Sequence, residues 1–506
     1  MAIQEILSTS TYSGVRETRP NTFLHKGGDS CDMAGTFKRC QFKEADRSFS
    51  QGQQCAQINS VAALFSLEDS VFVVHSPLGC TGCLNFANEL YRVGQAHRKV
   101  STVRNGRMIV TNLDEESVVL GGEGKLREAL ALAVERHHPK LVFIIASCAS
   151  AIIGDDIDAI AKELQQSLVA EAAAGGAGAA SSAAPHPVPL IIPVHCEGFK
   201  SNIPATGFDV AFIAIEKYIL KGEHLPTQEG LINLFAPVSI SYKDQCEMER
   251  MLEDLGLTTN YIPFYSSLEK IQRIPAAQAS TAICKVFADE FMKQVEQRYG
   301  VPYAHTVMPI GARNTAKWLR GIAALVGKEA QAEEYIEREY QRVLPRIEAV
   351  RKRLEGKRVF ICGGTGRSFA AAALVDDFGM KLVGFETPVY DDDAQEDLEY
   401  LNSVHGDFVV DVANMQPYEQ VNLVRRLKPD VFVGVPVWSA RLGIPTTHVL
   451  DSKRPTMGYD GLLYLGEKMA DQIENPGFNA KLSRYARLPY KESWYNTDPF
   501  KFIKEV

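Results

Sequence analysis

Long apolar runs are missing from this 506-residue sequence: no stretch of about eighteen uncharged apolar residues occurs, so no membrane span is expected. The opening MAIQEILSTSTYSGVRETRP has no apolar core behind a basic start, so no secretory leader of the usual kind is expected. Positive charge is also short. With 54 Lys and Arg against 62 Asp and Glu, the formal charge is -8, and neither nucleic acid nor an anionic membrane is expected as main partner. These absences point to the reducing cytoplasm. There the ten cysteines (Cys31, Cys40, Cys55, Cys80, Cys83, Cys148, Cys196, Cys246, Cys284 and Cys362) read as core fillers or as metal and catalytic ligands, since disulfides are disfavoured.

What is present is the composition of an ordinary globular protein, 45% hydrophobic and 23% charged, in a chain too long for one core. Apolar runs such as SVFVVHS (70–76), KLVFIIAS (140–147) and VPLIIPVHCEGF (188–199) alternate with helical periodicity, as in CASAIIGDDIDAIAKELQQSL. The rhythm predicts an α/β fold of three doubly wound Rossmann-like domains with parallel sheets, ligands sitting beyond the strand carboxyl ends. The expected division is an arm over 1–45 that wraps a partner or the body, then domains over 46–225, 226–350 and 351–506. The charged segment 329–356 reads as a long solvated helix joining two of them. An Ala/Gly/Ser-rich stretch over 169–187 reads as a flexible surface insertion without chemistry.

Two phosphate signatures are absent. GGTGRS (363–368) follows the strand KRVFIC and opens a helix, but no glycine stands three residues after Gly366 and no GK[ST] follows. Nucleotide binding by this chain is not expected. The free N–H groups of Gly363, Gly364, Thr365 and Gly366 can still hold an anion, the sulfides of a cluster included. Cys80 and Cys83 form the sole C-x-x-C, so a structural zinc site is not expected either. Cys55 precedes a helical segment, while Cys80 and Cys148 each follow a buried strand. Strand ends opening on one crevice bring distant thiols together, an arrangement suited to an iron–sulfur cluster.

Here the sequence resembles nitrogenase component 1 α subunits over nearly its whole length. CAQINSVAALFSLEDSVFVVHSPLGC and ASCASAIIGDDI resemble that family's first two cluster-binding segments. The resemblance implies that Cys55, Cys80 and Cys148 are the α-side ligands of an 8Fe-7S P-type cluster, with a β-type subunit supplying the rest in an α2β2 assembly. It gives Cys83 no role. STAICKVFADEFMKQVEQRYGVPY and THVLDSKRPTMGYDG resemble the segments holding a large iron–sulfur cofactor, through Cys284 and His448. Ala63, Asn88, Phe208 and Arg367 are the implied cavity-lining positions. An ATP-dependent iron protein carrying a 4Fe-4S cluster is the implied electron donor.

Departures from the nitrogenase pattern narrow the reading. HCEGFKSNIPATGFD has Pro204 and Phe208 where those subunits have a glutamine and a histidine. Gly366 stands where an arginine is expected, with Arg367 one place later, and VGVPVWSARLGIP (433–445) is two residues shorter than its counterpart and has no lysine for an organic acid. In these respects the chain is similar to the D-type subunit of methylthio-alkane reductases, nitrogenase relatives that cleave carbon–sulfur bonds reductively. The expected substrate is a small thioether, and the expected cofactor lacks the usual organic acid and can be built of iron alone. The alternatives are a scaffold for cofactor assembly, a tetrapyrrole reductase of the same superfamily, and a nitrogenase α subunit proper.

Overall fold

The computed structural model of the chain describes residues 16, 19, 22–38, 45–47, 55–175, 187–201, 203, 205–236, 241–305, 307–414, 416–434, 439–489 and 491–505. Two short strands lie near the start, β1 (Lys26–Asp29) and β2 (Ala45–Arg47). β3 (Ser70–His75), β4 (Met108–Val110), β5 (Leu141–Ala146) and β6 (Leu190–Val194) follow and form a parallel sheet in the order β4-β3-β5-β6. Every residue of β3 and β5 is buried, because helices cover both faces of a parallel sheet. β7 (Gln228–Phe235), β8 (Thr258–Ile262) and β9 (Ala277–Ala282) make a second parallel sheet in the order β8-β7-β9.

The third sheet holds β10 (Arg358–Cys362), β11 (Lys381–Thr387), β12 (Val409–Val412), β13 (Val431–Gly434) and β14 (Thr446–Thr447), with β1 added at one edge. Its order is β1-β12-β11-β10-β13-β14, and only β1 runs antiparallel. β15 (Ile503–Glu505) pairs with β2. The α/β class and the parallel sheets are therefore as the sequence predicts. In each parallel sheet the strand order reverses at one place: between β3 and β5, between β7 and β9, and between β10 and β13. Such reversals open a crevice at the strand carboxyl ends, where loops diverge to opposite faces.

Three expectations need correction or completion. The segment read as a solvated connector is the helix Glu329–Leu354, but it buries a stripe containing Ala332, Tyr335, Val343, Ile347, Val350 and Leu354. That stripe packs on the helix Gly458–Glu474, and Arg342, Arg346 and Arg353 reach its carboxylates. The alanine-rich stretch is helical through Gly175, since alanine is the strongest helix former; 176–186 lie outside the described residues. Within the expected arm, β1 is part of the third sheet and Ser30–Lys38 is a helix packed on the helix Gln395–His405. No helix among the described residues is long and apolar enough to cross a membrane.

Candidate functional site

The first switch point gathers thiols. Cys55 is the N-cap of the helix Ala56–Leu64, Cys80 lies in the first turn of the helix Leu78–His97 after β3, and Cys148 opens the helix Cys148–Ile153 after β5. Two bonds lock these helix starts onto the sheet: Gln57 Nε2 donates to the Ala146 carbonyl (2.9 Å) and Ser147 Oγ to the His75 carbonyl (2.7 Å). Gly198, on the turn after β6, closes the group. A Cβ there would come within 2.8 Å of Cys55 Cβ, 3.3 Å of its Sγ and 3.6 Å of Cys148 Sγ. Burial raises the Cys80 thiol, and the neighbouring Cys148, Cys55 and Cys83 thiols add to the effect. Thiolates crowded together repel unless a cation binds them, and helix N-termini favour that charged form.

These three thiols remain partly exposed, and Cys83 is exposed. Around them stand exposed apolar side chains: Leu78 (62%), Ile152 (75%) and Phe199 (55%), each within four residues of Cys80, Cys148 or Gly198. Among the described residues no three His, Cys, Asp or Glu side chains converge tightly enough for a single metal ion. The donor set fits a polynuclear cluster instead, whose irons each take their own thiolate.

The second and third switch points meet at Cys284. This residue, just beyond β9, is buried (3% exposed) and caps the helix Lys285–Tyr299. Gly364 caps the helix Thr365–Leu374 after β10, so two helix N-termini face the one sulfur. Burial raises the Cys284 thiol, against the N–H groups of Val286 and Gly366 and the charges of Arg16 and Arg367, which favour thiolate. Gly366 is required by this approach, since a Cβ there would lie 2.5 Å from Cys284 Sγ. Arg367 is buried, donates to the Val449 carbonyl, and stands between the two expected anchors, with its field reaching both Cys284 and His448. His448 follows β14 and keeps an exposed face; the protein packed on its other side, then Arg367 and Lys468, lower its pKa. Asp451 is held to about 2: burial opposes this, but Tyr464, the Lys453 N–H and Lys468 all bond it. A cysteine and a histidine that share Arg367 as a neighbour offer iron a thiolate and an imidazole, a pair that fits a large cluster whose other bonds are internal.

The other expected residues divide. Phe208 is buried on the helix Thr206–Ile215 and meets Phe287 edge to face at 4.7 Å, three residues past Cys284. Ala63 is wholly buried in the helix Ala56–Leu64. Asn88 is committed elsewhere: its amide donates to Asn105 (3.3 Å) and accepts from the Gly106 N–H (3.0 Å). Nothing in the structure joins it to Cys284. Pro204 and 435–438 lie outside the described residues.

Sequence reasoning missed a charged cluster beside Cys284. Arg16, wholly buried, donates to Asp209 (2.9 Å), Asp289 (2.5 Å) and the Val286 carbonyl (3.0 Å). Arg19 adds a bond to Asp289 at 2.9 Å. Burial pushes the Asp209 carboxyl up to about 6, whereas Arg16 and Arg19 overcome burial to hold Asp289 below its ordinary value. The available signal was an aspartate within TGFDVAFIAI, an apolar helix where a carboxylate needs a partner. A second missed cluster aligns Cys362, Glu386 and Asp411 across β10, β11 and β12, with Arg47 bonding Asp411 (3.0 Å) and Glu419 (2.9 Å).

The model of the family "Nitrogenase component 1 type Oxidoreductase" matches residues 55–474. The chain belongs to that family. It is 26% identical over 427 residues to the nitrogenase molybdenum-iron protein alpha chain of Methanococcus maripaludis, covering 82% of this chain and 84% of the relative. It is also 25% identical over 493 residues to the nitrogenase iron-molybdenum cofactor biosynthesis protein NifE of Clostridium pasteurianum, covering 91% and 96%. The solved nitrogenase Cp1 at pH 5 superposes with a TM-score of 0.69 at 19% identity, over 88% of this chain and 92% of that one, a likeness of fold.

Proposed function

We propose that this chain is the catalytic α-type subunit of a nitrogenase-like, ATP-dependent reductase of the cytoplasm that cleaves small thioethers. The reaction is R–S–CH3 + 2 e⁻ + 2 H⁺ → RH + CH3SH: one C–S bond breaks, and a C–H and an S–H bond form. Electrons come from an iron protein bearing a 4Fe-4S cluster. The observation that carries this reading is the wall at Cys284. Both anchors, Cys284 and His448, neighbour buried Arg367, while the helix that begins at Cys284 carries Phe287, packed on Phe208 as an apolar pair. A phenylalanine cannot donate hydrogen bonds to nitrogen intermediates, but it offers a dry face that suits a thioether.

Within this reading Cys55, Cys80 and Cys148 hold the α side of an 8Fe-7S cluster. Their partial exposure and the apolar rim of Leu78, Ile152 and Phe199 support a β-type subunit that covers them, in an α2β2 heterotetramer. Cys284 and His448 hold a large iron–sulfur cofactor, with Gly363, Gly364, Thr365 and Gly366 as its amide cradle. When bound, such a cofactor supplies electrons stored at low potential. The chain's own residues position it: Arg367 sets a positive charge between the anchors, and the neutral His448 ring keeps a nitrogen lone pair for iron. The absence of lysine over 433–445 supports a cofactor without the usual organic acid. The three-domain division, at 45/46, 225/226 and 350/351, belongs to the same proposal.

The similarity to NifE supports a second reading, a scaffold on which cofactor is assembled and released. The two differ in turnover. The complete complex, iron protein, ATP and dithionite are supplied with dimethyl sulfide or ethyl methyl sulfide. Methanethiol release that is abolished by His448→Ala, with the interface cluster retained, supports the reductase. Ammonia from dinitrogen without thiol release means a nitrogenase instead, and transfer of cofactor to another protein without any turnover means a scaffold.

A further inference from the structure

Arg16 lies 193 residues before Asp209 and 273 before Asp289, on the two helices it joins, and is buried. Its terminal nitrogen reaches Asp209, on the helix Thr206–Ile215, and both Asp289 and the Val286 carbonyl, on the helix Lys285–Tyr299. The second helix has a non-helical residue, Ala288 (φ -151, ψ 17), between those two contacts. A break of that kind frees a carbonyl from the helical ladder, and Arg16 takes the one at Val286. The clamped helices are the ones that carry Phe208 and Phe287, whose rings touch at 4.7 Å, and the second begins at Cys284. Neighbouring charges match. Arg16 and Arg19 face Asp209 and Asp289, while Lys293 is turned to Glu290.

We propose that Arg16 is a positioning and specificity residue, which fixes the distance between the Phe208 and Phe287 helices and so the width of the apolar wall and the seat of Cys284. All three bonds leave the one nitrogen Nη2 at the far tip of the guanidinium, a position that a lysine ammonium, one bond shorter, does not reach. The wall's width decides which thioethers fit, a role that rests on the proposed reaction; the seat of Cys284 does not depend on it. Arg16→Lys keeps the charge but ends one bond short of the three acceptors, so it separates clamp from charge.

Two measurements test this. In the full-length chain freed of clusters under anaerobic conditions, the rate of Cys284 alkylation by iodoacetamide is read by mass spectrometry of its peptide. Arg16→Lys and Asp289→Asn should each accelerate it at least fivefold, with alkylation of Cys55, Cys80 and Cys148 within twofold of wild type. In the complete complex, Arg16→Lys should lower the ratio of kcat/KM for dimethyl sulfide to that for a bulkier alkyl methyl sulfide at least fivefold. Unchanged Cys284 alkylation in both variants overturns the clamp. Accelerated alkylation with an unchanged substrate ratio overturns the specificity role. If wild type releases no thiol, the C–S reading has failed and the specificity role falls with it, while the alkylation rates still decide the clamp.

Discussion

Replacing Gly366 by alanine isolates the cofactor seat with a single methyl group. A Cβ at this position would lie 2.5 Å from Cys284 Sγ and 3.3 Å from its Cβ. Non-bonded heavy atoms rest at about 3.5–4.0 Å, so the sulfur must retreat by roughly 1 Å. The backbone is not the obstacle, because Gly366 is not among the glycines at positive φ. Nor can the sulfur yield freely, since Cys284 is 3% exposed and bonded by the Gly366 and Val286 amides. Overpacking of this kind costs about 1–3 kcal/mol. If the sulfur turns away, cofactor affinity carries that cost, a loss of about 5- to 150-fold. Gly364 supplies the control: a Cβ there meets nothing within 4 Å, in the same turn. Iron content and EPR of the anaerobically purified complex should show Gly366→Ala depleted of the cofactor signal with the interface-cluster signal intact, and Gly364→Ala as wild type. Equal cofactor occupancy in both variants would refute the assignment of Cys284 as anchor.

The converse lesion is Gly198→Ala, which drives a methyl into Cys55; it should strip iron from the interface cluster and spare the cofactor, as separate EPR signals would report. Cys80→Ala or Cys148→Ala should likewise remove that iron and weaken pairing with the β-type subunit in sedimentation velocity, so a fully loaded, stable monomer would sink the shared-cluster reading. Stability should also carry a pH signature from the third sheet. Burial pushes the Glu386 carboxyl from an ordinary 4.5 up to about 8, against the hydrogen bond from Gln420. Between those values the folded chain holds a proton that the unfolded chain releases, so stability falls as pH rises through that window, by about 1.4 kcal/mol per pH unit at most. Urea midpoints across the window should show this slope in wild type and a shallower one in Glu386→Gln.

Much of the site was readable because its residues sit at ends of strands that announce themselves. SVFVVHS and KLVFIIAS are apolar without interruption, so the turns after them, with Cys80 and Cys148, could be assigned to a crevice before any contact was known. Local periodicity carries that information; strand order does not. The reversal between β10 and β13, which sets the Gly366 turn against Cys284 from another sheet, depends on pairing between distant segments. Arg16 was illegible for the same reason, since its nearest partner is 193 positions away. Asn88, a cavity position only by resemblance, has its amide bonded to the loop at Asn105 and Gly106. The helix Glu329–Leu354 looked solvated because its charges outnumber its apolar residues, although those apolar residues share one face.

The two thiol sites use one device at different depths, and depth separates their roles. Each cysteine stands at a helix N-terminus, and Cys80, Cys148 and Cys284 do so beyond a strand end, where free amides and the helix dipole favour thiolate over thiol. At the first switch point those thiols stay half-open beneath an exposed apolar rim, a surface stable only when something covers it. At Cys284 the same device is buried inside the chain, with Phe287 three residues on packed against Phe208 and Arg16 bonded to the Val286 carbonyl. On the proposed reading this is what a reductase needs. Electrons must pass between proteins, which calls for a cluster at a surface two subunits share. The bond to be broken must be kept from water, since low-potential electrons otherwise reduce protons. Burial of Cys284 serves the second demand and partial exposure of Cys55, Cys80 and Cys148 the first, so opening the wall at Phe208 should divert electrons to hydrogen without touching the interface cluster.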